Sequence, residues 1–166
     1  MSDDAWLDEL IAWADENDIP EYHFDEICGS WSGFPRDKQA ILAMTDLHLI
    51  GNKLAELPES IDKLTQLTRL RLWDNQLTEL PESIGKLTQL TVLDLSSNQL
   101  IELPESIGKL TNLTELYLSG NQLTDLPESI GKLTNLKVLY LNNNPIKSLP
   151  PKLSHLRNII PCTTIF

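Results

Sequence analysis

The sequence predicts an α/β solenoid with a curved parallel sheet, a thin convex side of short 3₁₀ turns, and a helical cap at its N-terminal end. The first observation is a 23-residue phrase that occurs three times, almost unchanged, between residues 67 and 135. The second is a pair of looser copies at residues 44–66 and 136–158. Repeats of this length predict units that bury their apolar faces only by stacking on one another.

Each copy opens with a strand pattern. In the copy that begins at Leu67, the inward residues Leu70 and Leu72 alternate with the outward residues Arg71 and Trp73. Alternation with period two places the leucines on one face of a strand. One strand cannot bury that face alone, so we expect each strand to pair in parallel with the next and to form a continuous leucine core.

An asparagine follows each strand at the same position. The five residues are Asn52, Asn75, Asn98, Asn121 and Asn144. The chain turns there, and an inward amide can donate to and accept from the backbone groups that the turn leaves inside the coil. The spacing predicts a buried asparagine ladder.

A Leu-Pro pair and a tight turn complete each copy. Pro81 fixes φ and removes a hydrogen-bond donor, so it excludes a strand at that point. The residues after it read as a 3₁₀ turn or a short helix, with Ile84 and Leu87 pointing inward at spacing three. Gly85 is interpreted as the bend, and because Asp62 stands there in the first copy, a positive φ is not required.

The N-terminal segment predicts a helix over residues 3–17, capped by Ser2 or Asp3 and stopped at Ile19-Pro20. Its apolar stripe consists of Leu7, Leu10, Ile11 and Ala14, flanked by Trp6 and Trp13. A second helical turn is expected over His23–Cys28.

Residues 29–43 are interpreted as a degenerate half-repeat on which the first helix folds as a lid. Phe34-Pro35 lies 23 residues before Leu57-Pro58. Further matches put Trp31 on the column of Leu54, Ile41 on that of Leu64 and Gly29 at the asparagine place, while Lys38 departs from the pattern at the column of Ile61. The predicted organisation is therefore a cap at 1–43, five repeats at 44–158 and a closing strand at 159–166.

The charge is uneven along the chain. The formal net charge is −11, and residues 1–43 hold eleven acidic and two basic side chains. An acidic chain argues against binding to nucleic acid, which requires a basic face. The start has no basic region before an apolar run, and no stretch of 18 apolar residues occurs, so no membrane association is expected. Cys28 and Cys162 are expected near opposite ends of the solenoid, too far apart to form a disulfide bond. A chain without a disulfide favours a reducing cytoplasm.

The C-terminal edge is apolar. Ile159 starts a sixth copy in which Cys162 and Thr164 take the leucine columns, and Ile165 and Phe166 follow. Because an unpaired strand edge invites another chain, we expect weak homodimerisation through this end.

Catalysis has little support in the sequence. The three histidines, His23, His48 and His155, belong to no metal or nucleophile motif, and no glycine-rich phosphate loop occurs. Asp94 and Glu115 are expected near each other, but on an open face that cannot tune them for acid–base work. No cofactor and no metal are therefore expected, and the chain is not expected to be an enzyme.

The differences among the three close copies concentrate on the outward strand columns. Of the 23 columns seven differ, and four of these are outward, including the column of Asp74, Ser97 and Gly120. The candidate partner-binding residues on the concave face are His48, Arg69, Arg71, Trp73, Asp94, Glu115, Tyr117 and Tyr140. Exposed Trp, Tyr and Arg are enriched where proteins bind proteins. The alternative is that strands simply favour aromatic residues.

The combination of L-x-x-L-x-L-x-x-N-x-L with LPxxIGxLTxL resembles the motifs of leucine-rich repeat proteins. The LPxxIGxLTxL motif is similar to that of bacterial and intracellular Ras-group-type repeats. The resemblance covers residues 44–158 and implies a protein-interaction scaffold that recognises an unidentified protein partner with its concave strands. It supplies no shared catalytic residue. Two alternatives stay open: a regulatory or effector module that inhibits or recruits a partner enzyme, and a self-associating structural protein.

Overall fold

The computed structural model of the chain describes residues 4–25, 30–153 and 159–160. The N-terminal elements are helix α1 (Ala5–Glu16), strands β1 (His23–Asp25) and β2 (Ser30–Ser32), and helix α2 (Lys38–Ala43). The later strands are β3 (Asp46–His48), β4 (Arg69–Arg71), β5 (Val92–Asp94), β6 (Glu115–Tyr117), β7 (Val138–Tyr140) and β8 (Ile159–Ile160). The 3₁₀ turns are Glu59–Lys63, Glu82–Lys86, Glu105–Lys109, Glu128–Lys132 and Pro151–Leu153.

Strands β3 to β8 form one parallel sheet in chain order. From β3 to β7 the register advances by one whole repeat per strand, so that equivalent leucines stand side by side. The central row, Leu47, Leu70, Leu93, Leu116 and Leu139, is fully buried. The predicted parallel sheet with a continuous leucine core is confirmed.

Successive 3₁₀ turns pack in close contact, and this contact, more than a bend in the backbone, accounts for the glycine. A Cβ atom on Gly85 would lie 2.6 Å from both the Cβ and the carbonyl oxygen of Ser106 in the next coil. Gly108 stands in the same relation to Ser129. The glycine is therefore needed for contact between coils. The first turn has Asp62 instead, and its buried carboxylate pairs with Lys86 at 2.5 Å.

The asparagine ladder is confirmed in four of the five copies. The Asn98 amide donates to the carbonyls of Leu72 (2.9 Å) and Leu95 (3.1 Å), and its Oδ1 accepts the Leu77 N–H at 3.0 Å. The same two donations and one acceptance recur at Asn75, Asn121 and Asn144. The prediction is wrong for Asn52, which is only half-buried and donates to the Ile50 carbonyl. Asn75 donates to the carbonyl of Leu49, and the residue one repeat before Leu49 is Glu26, in a segment whose sequence does not match the regular repeat.

Helix α1 covers the first coil, as a lid would. It buries Leu10, Trp13 and Ala14, while Leu7 and Ile11 are only partly buried against the core. Trp13, predicted to flank the apolar stripe, is itself one of the buried residues, and its ring meets Phe34 edge-on. The ring centroids are 6.2 Å apart, and the indole N–H donates to the Glu56 carbonyl at 3.3 Å. Asp4 precedes the helix without a side-chain cap, and Ser2 and Asp3 lie outside the described residues.

The helical turn predicted over His23–Cys28 is wrong where the structure describes it. His23–Asp25 form β1, which pairs antiparallel with β2. The aromatic residues in both segments favour a pleated strand over a helix. After β2 the chain returns against its own backbone at Gly33, where φ is 91° and a Cβ would lie 2.5 Å from the Pro20 carbonyl. Cys28 and Gly29 lie outside the described residues.

The half-repeat keeps the core positions but not the coil. Phe34 and Ile41 are fully buried, as their columns predict. Residues 38–43, however, form an α-helix where the later repeats have a 3₁₀ turn, and the Asp37 side chain caps this helix by accepting the Ala40 N–H at 2.9 Å. Strand β2 pairs with β1 and is not a member of the parallel sheet. The division at 43 and 158 stays a prediction.

The register of the last described strand differs from the prediction. Ile159, and not Cys162, stands beside Leu139. Continuing the 23-residue spacing would put Pro161 in the place of Val138, whose N–H bonds the Thr114 carbonyl. Proline has no N–H to donate, so the chain pairs three residues earlier. Cys162, Thr164, Ile165 and Phe166 lie outside the described residues.

Candidate functional site

The parallel register brings the predicted site residues into rows on the outward side of the sheet, which we call the concave face. One row runs Arg71, Asp94, Tyr117, Tyr140, and it is continued at its N-terminal end by His48. The neighbouring row contains Arg69 and Glu115, separated by Val92. Seven of the eight predicted residues are at least partly accessible, and the eighth, His48, is not.

His48 is buried, with 8% of its surface exposed, which corrects its assignment as a contact residue. Its Nε2 lies 2.7 Å from Asp46 Oδ1, and its backbone carbonyl accepts from the Ser32 hydroxyl at 3.4 Å. Burial lowers the pKa of His48, although the Asp46 carboxylate opposes part of that shift. The cap therefore reaches this end of the face.

The two arginines of the face are already paired. Arg69 Nε donates to Asp46 Oδ2 at 2.5 Å, Arg71 Nη1 lies 3.6 Å from Asp46 Oδ1, and Arg71 also contacts the His48 ring. Burial, together with the same carboxylate, raises the pKa of Tyr22. We call Asp46, His48, Arg69 and Arg71 the basic end of the face.

Asp46 was missing from the predicted site. It precedes Arg69 by 23 residues, and in a parallel sheet with a one-repeat register that spacing alone puts the two side chains next to each other. The sequence signal that could have found it is the position one repeat upstream of each charged residue.

The opposite end of the face is aromatic. The Tyr117 and Tyr140 rings are stacked, with their centroids 5.2 Å apart and their planes 8° from parallel. The Tyr117 hydroxyl donates to Glu115 Oε2 at 2.7 Å, and this bond, helped by burial, raises the pKa of Tyr117 to about 12. Asp94 lies beside Tyr117 in register, and its Oδ1 accepts the Ser96 N–H at 3.0 Å. We call Asp94, Glu115, Tyr117 and Tyr140 the aromatic end.

Trp73 lies on the face just after β4 and is 42% exposed.

The column after Trp73 differs in its backbone conformation. Asp74, Ser97 and Gly120 have φ of 60°, 53° and 70°. Left-handed backbone favours Gly, Asp and Asn, so this column varies among residues that a turn accepts. The backbone conformation, and not an outward strand position, therefore accounts for the different residue types at this column.

The face supplies hydrogen bonds, charge and aromatic surface, which suits non-covalent binding. Within the described residues, no group of three or more His, Cys, Asp or Glu side chains could hold a metal ion. In the same part of the chain no helix has the length and apolar character that crossing a membrane requires.

Comparison with known proteins adds the family. A family model described as a leucine-rich repeat region matches residues 39–121, and a second, described as leucine-rich repeats in two copies, matches residues 111–158. The comparison with curated protein sequences gives no match.

Three solved structures illustrate the similarity. A leucine-rich repeat protein of Leptospira interrogans is 35% identical over 73% of this chain and 37% of its own, with a TM-score of 0.59. The leucine-rich repeat domain of the type III effector XopL is 30% identical over 76% of this chain and 47% of its own, with a TM-score of 0.65. The ectodomain of the Arabidopsis thaliana receptor kinase GASSHO1/SCHENGEN3, in complex with CASPARIAN STRIP INTEGRITY FACTOR 2, is 36% identical over 68% of this chain and 14% of its own, with a TM-score of 0.56. This chain thus spans less than half the length of each, and it belongs to the leucine-rich repeat family.

Proposed function

We propose that this chain is a non-catalytic scaffold that binds a protein partner through its concave face. Leucine-rich repeat domains are a general protein–protein interaction module. The observation that supports the proposal most is the stacked pair Tyr117–Tyr140, which stands on the one face where near-identical repeats differ strongly. Tyrosine brings a large apolar body and a polar tip at little entropic cost, which suits a binding anchor.

The test compares two multiple variants in affinity capture from the native lysate. Tyr117→Ala with Tyr140→Ala is expected to lose most partner binding, because each aromatic anchor commonly contributes ~2 kcal/mol or more. Changing the exposed Glu82, Glu105 and Glu128 to alanine on the convex side is the control and is expected to leave capture intact. If the glutamate changes abolish capture while the tyrosine changes do not, the binding face has been assigned wrongly.

A second candidate is a regulatory or effector module that acts on a partner enzyme through the same face. The similarity to the repeat domain of the type III effector XopL favours it. A larger catalytic protein in the captured material would support this form of the function, and a captured protein without catalytic activity would count against it.

A cytoplasmic location, a bacterial origin and weak homodimerisation through the C-terminal edge complete the proposal. The bacterial origin is supported by the Leptospira neighbour. The homodimer can be tested by sedimentation of a chain truncated after Asn158. An unchanged monomer–dimer balance would remove that part of the proposal.

A further inference from the structure

We infer that the aromatic end receives a basic side chain of the partner, above all an arginine, which docks against Tyr117 between the carboxylates of Asp94 and Glu115. The inference rests on the proposed function and specifies its chemistry.

The first step concerns the two carboxylates. Among the described residues, no lysine or arginine side chain lies within ion-pair distance of Asp94 or Glu115, whereas Asp46 has two such partners. The hydrogen bonds they accept come from a backbone N–H and a phenol, so neither brings positive charge. Two carboxylates on adjacent strands therefore present negative charge to solvent beside an aromatic ring.

The second step concerns the nearest cation. Arg71 is the register neighbour of Asp94 on β4, so its guanidinium could have neutralised that carboxylate. Instead, it lies on the other side, against His48 and near Asp46. Asp46 thus neutralises part of the positive charge of the face, and an acidic partner group would have to compete with Asp46 for the two arginines.

The third step concerns the ring. The Tyr117 hydroxyl bond to Glu115 and the stacking on Tyr140 fix the orientation of the Tyr117 ring. A guanidinium is planar, stacks on aromatic faces and donates through a fork that matches a carboxylate. An arginine can therefore use the ring and a carboxylate together, while a lysine offers only a point charge. The net charge of −11 would also steer a basic partner toward the chain.

The experiment is selection from a displayed library of random decapeptides against three forms of the full chain: the unmodified protein, Asp94→Asn/Glu115→Gln, and Glu105→Gln/Glu128→Gln. Each of the two variants removes two negative charges, so the convex variant controls for non-specific attraction. We expect arginine to be enriched severalfold among peptides that bind the unmodified protein and the convex variant. We expect that enrichment to be lost with Asp94→Asn/Glu115→Gln.

Three results would overturn the inference: no arginine enrichment, enrichment of acidic peptides, or enrichment that survives in Asp94→Asn/Glu115→Gln. Failure of the proposed function itself is distinguishable by testing the selected peptides on Tyr117→Ala/Tyr140→Ala. Peptides that lack arginine yet need the tyrosines would leave the concave-face function standing and remove only the arginine. Selected peptides that need neither the tyrosines nor the carboxylates would count against both.

Discussion

The two ends of the concave face share the same leucine core and differ in how their charges are satisfied. At the basic end, Asp46 pairs with Arg69 one repeat away and lies 3.6 Å from Arg71 Nη1, and the cap reaches His48. At the aromatic end, carboxylates stand beside stacked tyrosines on open strands. In a solenoid with a one-repeat register, a charged residue must therefore be interpreted together with the residue one repeat away.

The largest effect should be equal at both ends. Leu70→Ala under the basic end and Leu116→Ala under the aromatic end each remove a fully buried side chain from the same row. Each should lower the free energy of unfolding by ~2–5 kcal/mol, as for other buried leucines. Chemical denaturation measures this. A much smaller cost at one position would show that the core is not continuous beneath the face.

The asparagine ladder allows the first coil to be compared with the later coils. Asn98→Ala removes the bonds to Leu72, Leu95 and Leu77 and should cost at least ~1 kcal/mol, since it leaves buried backbone groups without partners. Asn52→Ala should cost clearly less, because that side chain is half-buried and its bond to the Ile50 carbonyl is local. Equal costs in denaturation would contradict the difference between the first coil and the others.

The basic end should matter for stability and not for binding. Arg69→Gln with Arg71→Gln leaves the largely buried Asp46 carboxylate, 20% exposed, without a cation. Removing the partners of such a charge should lower stability by roughly 1–2 kcal/mol, between the values for exposed and buried pairs. Thermal and chemical denaturation measure the change. An unaltered stability would mean that the Asp46 cluster is not formed in solution.

The aromatic end has a spectroscopic signature. The pKa of Tyr117 is raised to about 12, above its usual value, chiefly by its hydrogen bond to Glu115. The associated stabilisation is therefore present below about pH 10 and is lost as pH rises through about 12. Glu115→Gln should move the ultraviolet titration of Tyr117 back toward the ordinary range. A Tyr117 titration that does not change in this variant would show that the hydrogen bond does not control the ring.

What the sequence could predict depended on the residue one repeat away. The leucine rows, the asparagine ladder and the meeting of Tyr117 with Tyr140 all follow from identical spacing, so the parallel register fixed them. The pairing of Arg69 with Asp46 follows from the same spacing, whereas Arg71 stands one repeat from His48 and its approach to Asp46 does not.

The rest depended on irregular segments. Beside His48 the chain forms the antiparallel pair β1–β2 and not another coil, and a proline stands in the sequence where the 23-residue spacing would require a backbone donor for β8. The residue type varies at the column of Asp74 because the backbone there is left-handed, and the side chains at this column do not predict that conformation. Such features arise where the chain departs from the 23-residue repeat, and there the period does not predict the structure.

The most direct test of the account measures one partner, identified by capture, against two variants by calorimetric titration. Tyr117→Ala/Tyr140→Ala should weaken binding by about 30-fold or more, which corresponds to ~2 kcal/mol, the contribution of at least one such anchor, since the contributions of neighbouring anchors do not simply add. Arg69→Gln/Arg71→Gln, measured at a temperature where it remains folded, should bind within a few-fold of the unmodified chain. A large loss of affinity in the arginine variant with normal binding in the tyrosine variant would contradict the assignment of the aromatic end as the docking site.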